Sequence, residues 1–69
     1  MAKLTPLGRE VKKWLIDQSM TQRELAAALG TGDKYLWKML YGVRPGNKYL
    51  PALAEMMGVD VEELKKLAA

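Results

Sequence analysis

A chain of 69 residues buries only about 60% of the surface that its unfolded form exposes, so it holds one core and little else. Cysteine and histidine are both absent. That excludes disulfides, thiol chemistry, iron–sulfur clusters and Cys/His zinc sites, and it removes the commonest general acid–base residue. Apolar content of 49% with 28% charged residues fits a folded domain that rests on apolar packing, not a disordered segment. Residues 1–69 read as a single domain. The longest uninterrupted apolar run, Leu25 to Leu29, is far short of the roughly 20 residues of a membrane span. A cytoplasmic protein with no membrane partner is the expectation.

The distribution of charge says more than the net value of +3. Residues 1–50 carry nine Lys/Arg against four Asp/Glu, which is +5; residues 51–69 carry two against four, which is −2. A basic body with an acidic end fits a polyanionic partner such as nucleic acid, although an ordinary solvated surface gives the same sums.

In chain order the sequence predicts five short helices. The first opens at Thr5-Pro6, with Thr5 as N-cap and Pro6 where its missing N–H costs nothing; Leu7, Val11, Trp14 and Leu15 then form an apolar stripe. The second has the clearest start. Thr21-Gln22-Arg23-Glu24 is a capping box, Met20 and Leu25 form its hydrophobic staple, and Gly30 ends it. The third begins near Thr31-Gly32-Asp33, buries Leu36, Met39 and Leu40, and stops at Gly42. Val43 to Asn47 is a turn by composition. The fourth runs from about Leu50 to Met57, its start fixed by Pro51 and its end by Gly58. The fifth repeats the device of the second, with Asp60 as cap, Glu63 completing the box, and Val59 and Leu64 as staple.

The second and third helices have the spacing of a helix-turn-helix over about residues 21–42. Ala26 is small enough for close approach, Gly30 supplies the turn, and Leu25, Leu29, Leu36 and Met39 lock the pair. A recognition helix must protrude rigidly to enter a major groove about 12 Å wide. A plain helical hairpin shows similar residues.

Thr21-Gln-x-x-Leu-Ala-x-x-Leu-Gly30, followed by Leu36-x-x-Met39-x-x-Gly42, resembles the Cro/repressor helix-turn-helix family, also called Xre. Tyr49-Leu-Pro-Ala-Leu-Ala54 and Gly58-Val-Asp-Val61 are similar, at matching spacing, to the fourth and fifth helices of lambdoid phage repressors. The resemblance covers roughly residues 7–67. It implies an all-α, five-helix, lambda-repressor-like domain that binds duplex DNA as a transcriptional regulator, by operator occlusion in a phage or prophage setting. It places Gln22 where a glutamine braces a phosphate contact and the recognition helix. Asp33, Lys34 and Lys38 fall at base-reading positions, where Lys donates to guanine O6/N7 and Asp accepts from cytosine N4. For the two lysines, phosphate contact is an equal reading; for Asp33, complementing the helix dipole is the leading one. Arg44 and Lys48 are the cations available in the following loop for backbone contact, and the match there is loose.

Three departures stand out. Leu15 and Leu40 occupy positions where the family often pairs an Arg with a Glu, a replacement that costs a fold nothing. Gly32 stands where a Ser or Thr usually caps the third helix. Tyr35, Trp37 and Tyr41 make that helix unusually aromatic. Trp37 lies either along a phosphate–sugar backbone or in a protein contact, Tyr41 packs on the following loop, and Tyr35 meets a thymine methyl or a partner protein. Aromatic residues are enriched at protein hot spots, so the rival reading is an anti-repressor whose helix-turn-helix face covers a repressor-type protein.

No enzymatic role, metal or cofactor is expected. The carboxylates are not paired in one pocket-forming element, the six glycines are assigned to helix ends and turns, and a pocket of roughly 300 Å³ is more than so small a bundle encloses. A monomer or weak homodimer is expected, pairing on DNA through the region of the fourth and fifth helices, where Met56, Val61, Leu67 and Ala68 form a small apolar patch.

Overall fold

A computed structural model describes residues 3–44 and 46–68. Five helices follow in order: α1 (Pro6–Asp17), α2 (Gln22–Leu29), α3 (Asp33–Leu40), α4 (Leu50–Met57) and α5 (Val61–Ala68). The described residues contain no strand. The expected Val43–Asn47 turn includes Pro45, which lies outside the described residues.

The helix ends follow from local chemistry. Thr5 caps α1 by accepting from the Gly8 N–H at 3.0 Å, with Pro6 in the first turn. The capping box of α2 is complete: the Glu24 N–H donates to the Thr21 hydroxyl at 3.1 Å, and the Thr21 N–H donates to the Glu24 carboxylate at 2.9 Å. Two orphan N–H groups are thereby satisfied reciprocally. Gly30 ends α2 at φ 79°, and the next N–H, from Thr31, reaches the Ala26 carbonyl at 2.9 Å. A left-handed residue there costs an L side chain energy that glycine avoids.

The start of α5 departs from its expected box. The Asp60 carboxylate accepts from the Glu62 N–H at 3.0 Å. The Glu63 carboxylate pairs with Lys66 at 3.8 Å, one turn along the helix. The staple is loose as well, because Val59 remains 44% exposed.

One apolar cluster joins all five helices: Leu7, Val11 and Leu15 of α1; Leu25, Ala26 and Leu29 of α2; Leu36, Met39 and Leu40 of α3; Leu50, Leu53 and Ala54 of α4; and Leu64 of α5. Trp14 is half-buried and packs against its edge. Leu15 is 5% and Leu40 0% exposed, so the positions of the family ion pair are filled by apolar contact. Burying each leucine contributes about 1.5–3 kcal/mol. No described polar or charged residue is buried. The fold therefore carries no desolvated charge.

The seat of α3 on α1 is closer than side-chain packing alone requires. The Thr5 N–H and hydroxyl both donate to the Leu40 carbonyl, at 3.1 and 2.8 Å. A Cβ at Gly8 would collide with that same carbonyl oxygen and with Leu4. Gly8 lies inside α1, which corrects the assignment of every glycine to a helix end or turn: its missing side chain makes room for the end of α3.

Candidate nucleic-acid interface

With its inner side sealed, α3 turns Asp33, Lys34, Trp37 and Lys38 outward, all exposed. The start of α2 lies beside this face. Together Gln22, Asp33, Lys34, Trp37 and Lys38 line one recess of about 340 Å³. Its volume exceeds what so small a bundle can enclose because it lies open at the surface. The Gln22 amide bridges the two helices, donating from Nε2 to Asp33 Oδ1 at 3.5 Å. At that length the bond is weak and leaves both groups ready for other partners.

The α3 N-cap, Gly32, provides no side-chain hydrogen bond. The first N–H groups of α3 thus lack the side-chain acceptor that α2 has, and Asp33 in the first turn supplies negative charge instead.

Two cation–aromatic chains flank α3. On one side the Trp37 ring stacks on Tyr41, with centroids 4.7 Å apart and planes at 23°. Lys12 of α1 donates to the Tyr41 hydroxyl at 3.3 Å and sits 5.4 Å from its ring centre. On the other side the Tyr35 ring meets Tyr49 edge-on at 5.5 Å, and Lys48 lies 5.7 Å from the centre of Tyr49. Aromatic pairs contribute about 0.5–1.5 kcal/mol beyond burial and exposed cation–π contacts about 0.5–1 kcal/mol, so each chain favours the ring orientations seen.

The sequence-predicted residues divide accordingly. Gln22, Asp33, Lys34, Trp37 and Lys38 share the recess. Tyr35 does not: it is half-buried against Tyr49. Arg44 and Lys48 are exposed in the loop between α3 and α4, and the Arg44 N–H donates to the Lys38 carbonyl at 3.2 Å. Tyr41 packs on Trp37 and Lys12. Lys12 was invisible to sequence reasoning, because it meets Tyr41 across 29 residues.

The ion pairs among described residues are Lys13–Glu10, Lys65–Glu62 and Lys66–Glu63, at 3.5–3.8 Å on exposed helix faces. None draws on Lys34, Lys38, Arg44 or Lys48, all four of which are exposed. The Thr21 backbone N–H, and after it the Thr21 side chain, hold the Glu24 carboxyl below the ordinary glutamate value. This keeps the capping box ionised beside Gln22.

No helix among the described residues is long and apolar enough to cross a membrane. Comparison with curated proteins and with solved structures finds no match. The family model described as Helix-turn-helix matches residues 11–64, which span α2, α3, α4 and most of α1. This all-α, lambda-repressor-like chain belongs to the Cro/repressor, or Xre-type, helix-turn-helix family of DNA-binding transcription regulators.

Proposed function

We propose that this protein is a sequence-specific duplex DNA-binding regulator of the phage or prophage Cro/repressor kind, acting by operator occlusion from the cytoplasm. One observation carries the reading: an open recess on the outer face of α3 gathers Gln22, Asp33, Lys34 and Lys38. This supplies both donors and an acceptor at the helix that a major groove admits. Gln22 braces the start of α3 against the backbone, Lys34 and Lys38 meet guanine or phosphate, and Arg44 and Lys48 add phosphate contacts from the loop. The protein carries out no catalysis and uses no cofactor in this reading. On DNA, two copies meet through the α4–α5 region, where Met56, Val61, Leu67 and Ala68 stay partly exposed, and read half-sites about 34 Å apart.

A second reading, an anti-repressor that covers a repressor-type protein, is favoured by Trp37, which is 42% exposed and held flat against Tyr41. One alanine series separates the two. If α3 reads DNA, Lys34→Ala and Lys38→Ala each weaken the selected site by about 1–3 kcal/mol wherever the lysine reads a base, and Trp37→Ala has the smaller effect. If α3 docks a protein, Trp37→Ala costs about 2 kcal/mol or more and the lysines alter mainly the association rate.

A further inference from the structure

The recess is more selective than a generic DNA-facing surface. Its lining holds one group that only accepts when ionised (Asp33), two that only donate (Lys34 and Lys38), one amide (Gln22) and one apolar wall (Trp37). The wall is fixed from behind, since Tyr41 stacks on it at 4.7 Å and Lys12 holds the Tyr41 hydroxyl at 3.3 Å. The carboxylate is steadied from the side by Gln22 on Oδ1, and its second oxygen has no hydrogen-bond partner among the described residues.

In a major groove only cytosine N4 and adenine N6 donate, while guanine and thymine present acceptors there. A carboxylate therefore selects cytosine or adenine. The neighbouring wall separates those two. Beside N6 on the adenine edge stands N7, an acceptor that loses its hydration without compensation when set against an indole face. Beside N4 on the cytosine edge stands C5, a carbon. The guanine paired with that cytosine offers O6 and N7, which the adjacent ammonium groups match.

We infer that this recess reads the major-groove edge of one cytosine, with Asp33 accepting from N4 and the Trp37 indole covering C5, so that the protein favours cytosine methylated at C5. The inference rests on the DNA-binding reading above. A methyl group on C5 extends the apolar contact and creates no new polar demand.

The test starts from a random-pool selection that yields the preferred duplex. At each preferred cytosine, C·G is replaced in turn by T·A and by 5-methylcytosine·G. Affinity is then measured for the wild type, Asp33→Ala and Trp37→Gln, with thermal melts to confirm that each variant folds. At one position T·A should weaken wild-type binding about tenfold or more, while 5-methylcytosine should tighten it by up to about fourfold. Asp33→Ala, which removes the acceptor altogether, should erase the cytosine preference at that position alone. Trp37→Gln should erase the methyl gain while keeping the preference for cytosine over thymine, which the carboxylate carries. If folded Asp33→Ala keeps every base preference, or if the methyl group weakens binding at the Asp33-dependent position, the cytosine assignment is overturned and the DNA reading stands. If the wild type enriches no sequence at all, the DNA reading itself fails and takes the inference with it.

Discussion

The two faces of α3 are held to different standards. The inner face is sealed: Leu36 and Leu40 are 0% exposed, and the Leu40 carbonyl takes two hydrogen bonds from Thr5. The outer face is Asp33, Lys34, Trp37 and Lys38, all exposed around an open recess. Shape decides the first face, because an interior packed to crystal density responds to a single methyl group. Chemistry decides the second, where substitutions that break no packing contact or cap usually leave folding within about 0.5 kcal/mol. Stability measurements therefore report on the inner face and binding measurements on the outer one.

The largest break in this contrast is expected at Leu15. Leu15→Arg places an unpaired charge in the core and should cost about 3 kcal/mol or more in urea unfolding. Adding Leu40→Glu should recover much of the loss by restoring the family's ion pair across α1 and α3. A double variant no more stable than the single would show that these two positions do not meet. Gly8→Ala attacks the same seat from the backbone. Its Cβ would press on the Leu40 carbonyl, and an overpacked contact of this kind costs about 1–3 kcal/mol, readable as a lowered midpoint with unchanged slope.

Smaller effects sharpen the boundary between the faces at the start of α2, which supports the recess without lying in the core. Thr21→Ala removes the hydroxyl of the capping box and should cost about 1 kcal/mol of stability, measured by thermal melting. The smallest effect is a pH dependence. Because the Glu24 carboxyl is held below its unfolded value, its contribution is complete above the unfolded pKa and is lost as pH falls through the folded one. Wild-type melting temperature should therefore drop more between about pH 5 and pH 3 than that of Glu24→Gln, whose side chain does not titrate. Parallel curves for the two proteins would contradict the box.

What could be read in advance was local. The starts of α1 and α2 and the span of α4 follow from Thr5-Pro6, Thr21-x-x-Glu24 and Pro51, because cap and partner lie within one turn of each other. The inward leucines follow from helical spacing. The α5 box did not form because Glu63 had two partners within reach, Asp60 and Lys66, and exposed contacts worth a few tenths of a kcal/mol cannot be ranked from spacing. The clamp of Thr5 on Leu40 spans 35 residues and that of Lys12 on Tyr41 spans 29, so neither was legible before the helices were placed. Gly8 did leave a signal, since a glycine inside a helix costs about 1 kcal/mol and usually has a packing reason. Among the site residues, chain position alone could not divide Tyr35, which faces Tyr49, from Trp37, which faces the recess.

If the outer face of α3 and its flanking loop neutralise DNA phosphates while reading bases, duplex binding must depend steeply on salt. Lys34, Lys38, Arg44 and Lys48 are exposed and outside the described ion pairs. If each protein neutralises three or four phosphates through them, the plot of log affinity against log salt should fall with a slope near −3 per monomer, approximately. Replacing one of these cations by alanine should make that slope shallower by about 1. An affinity that stays flat from low to moderate salt would show that these cations do not meet phosphates.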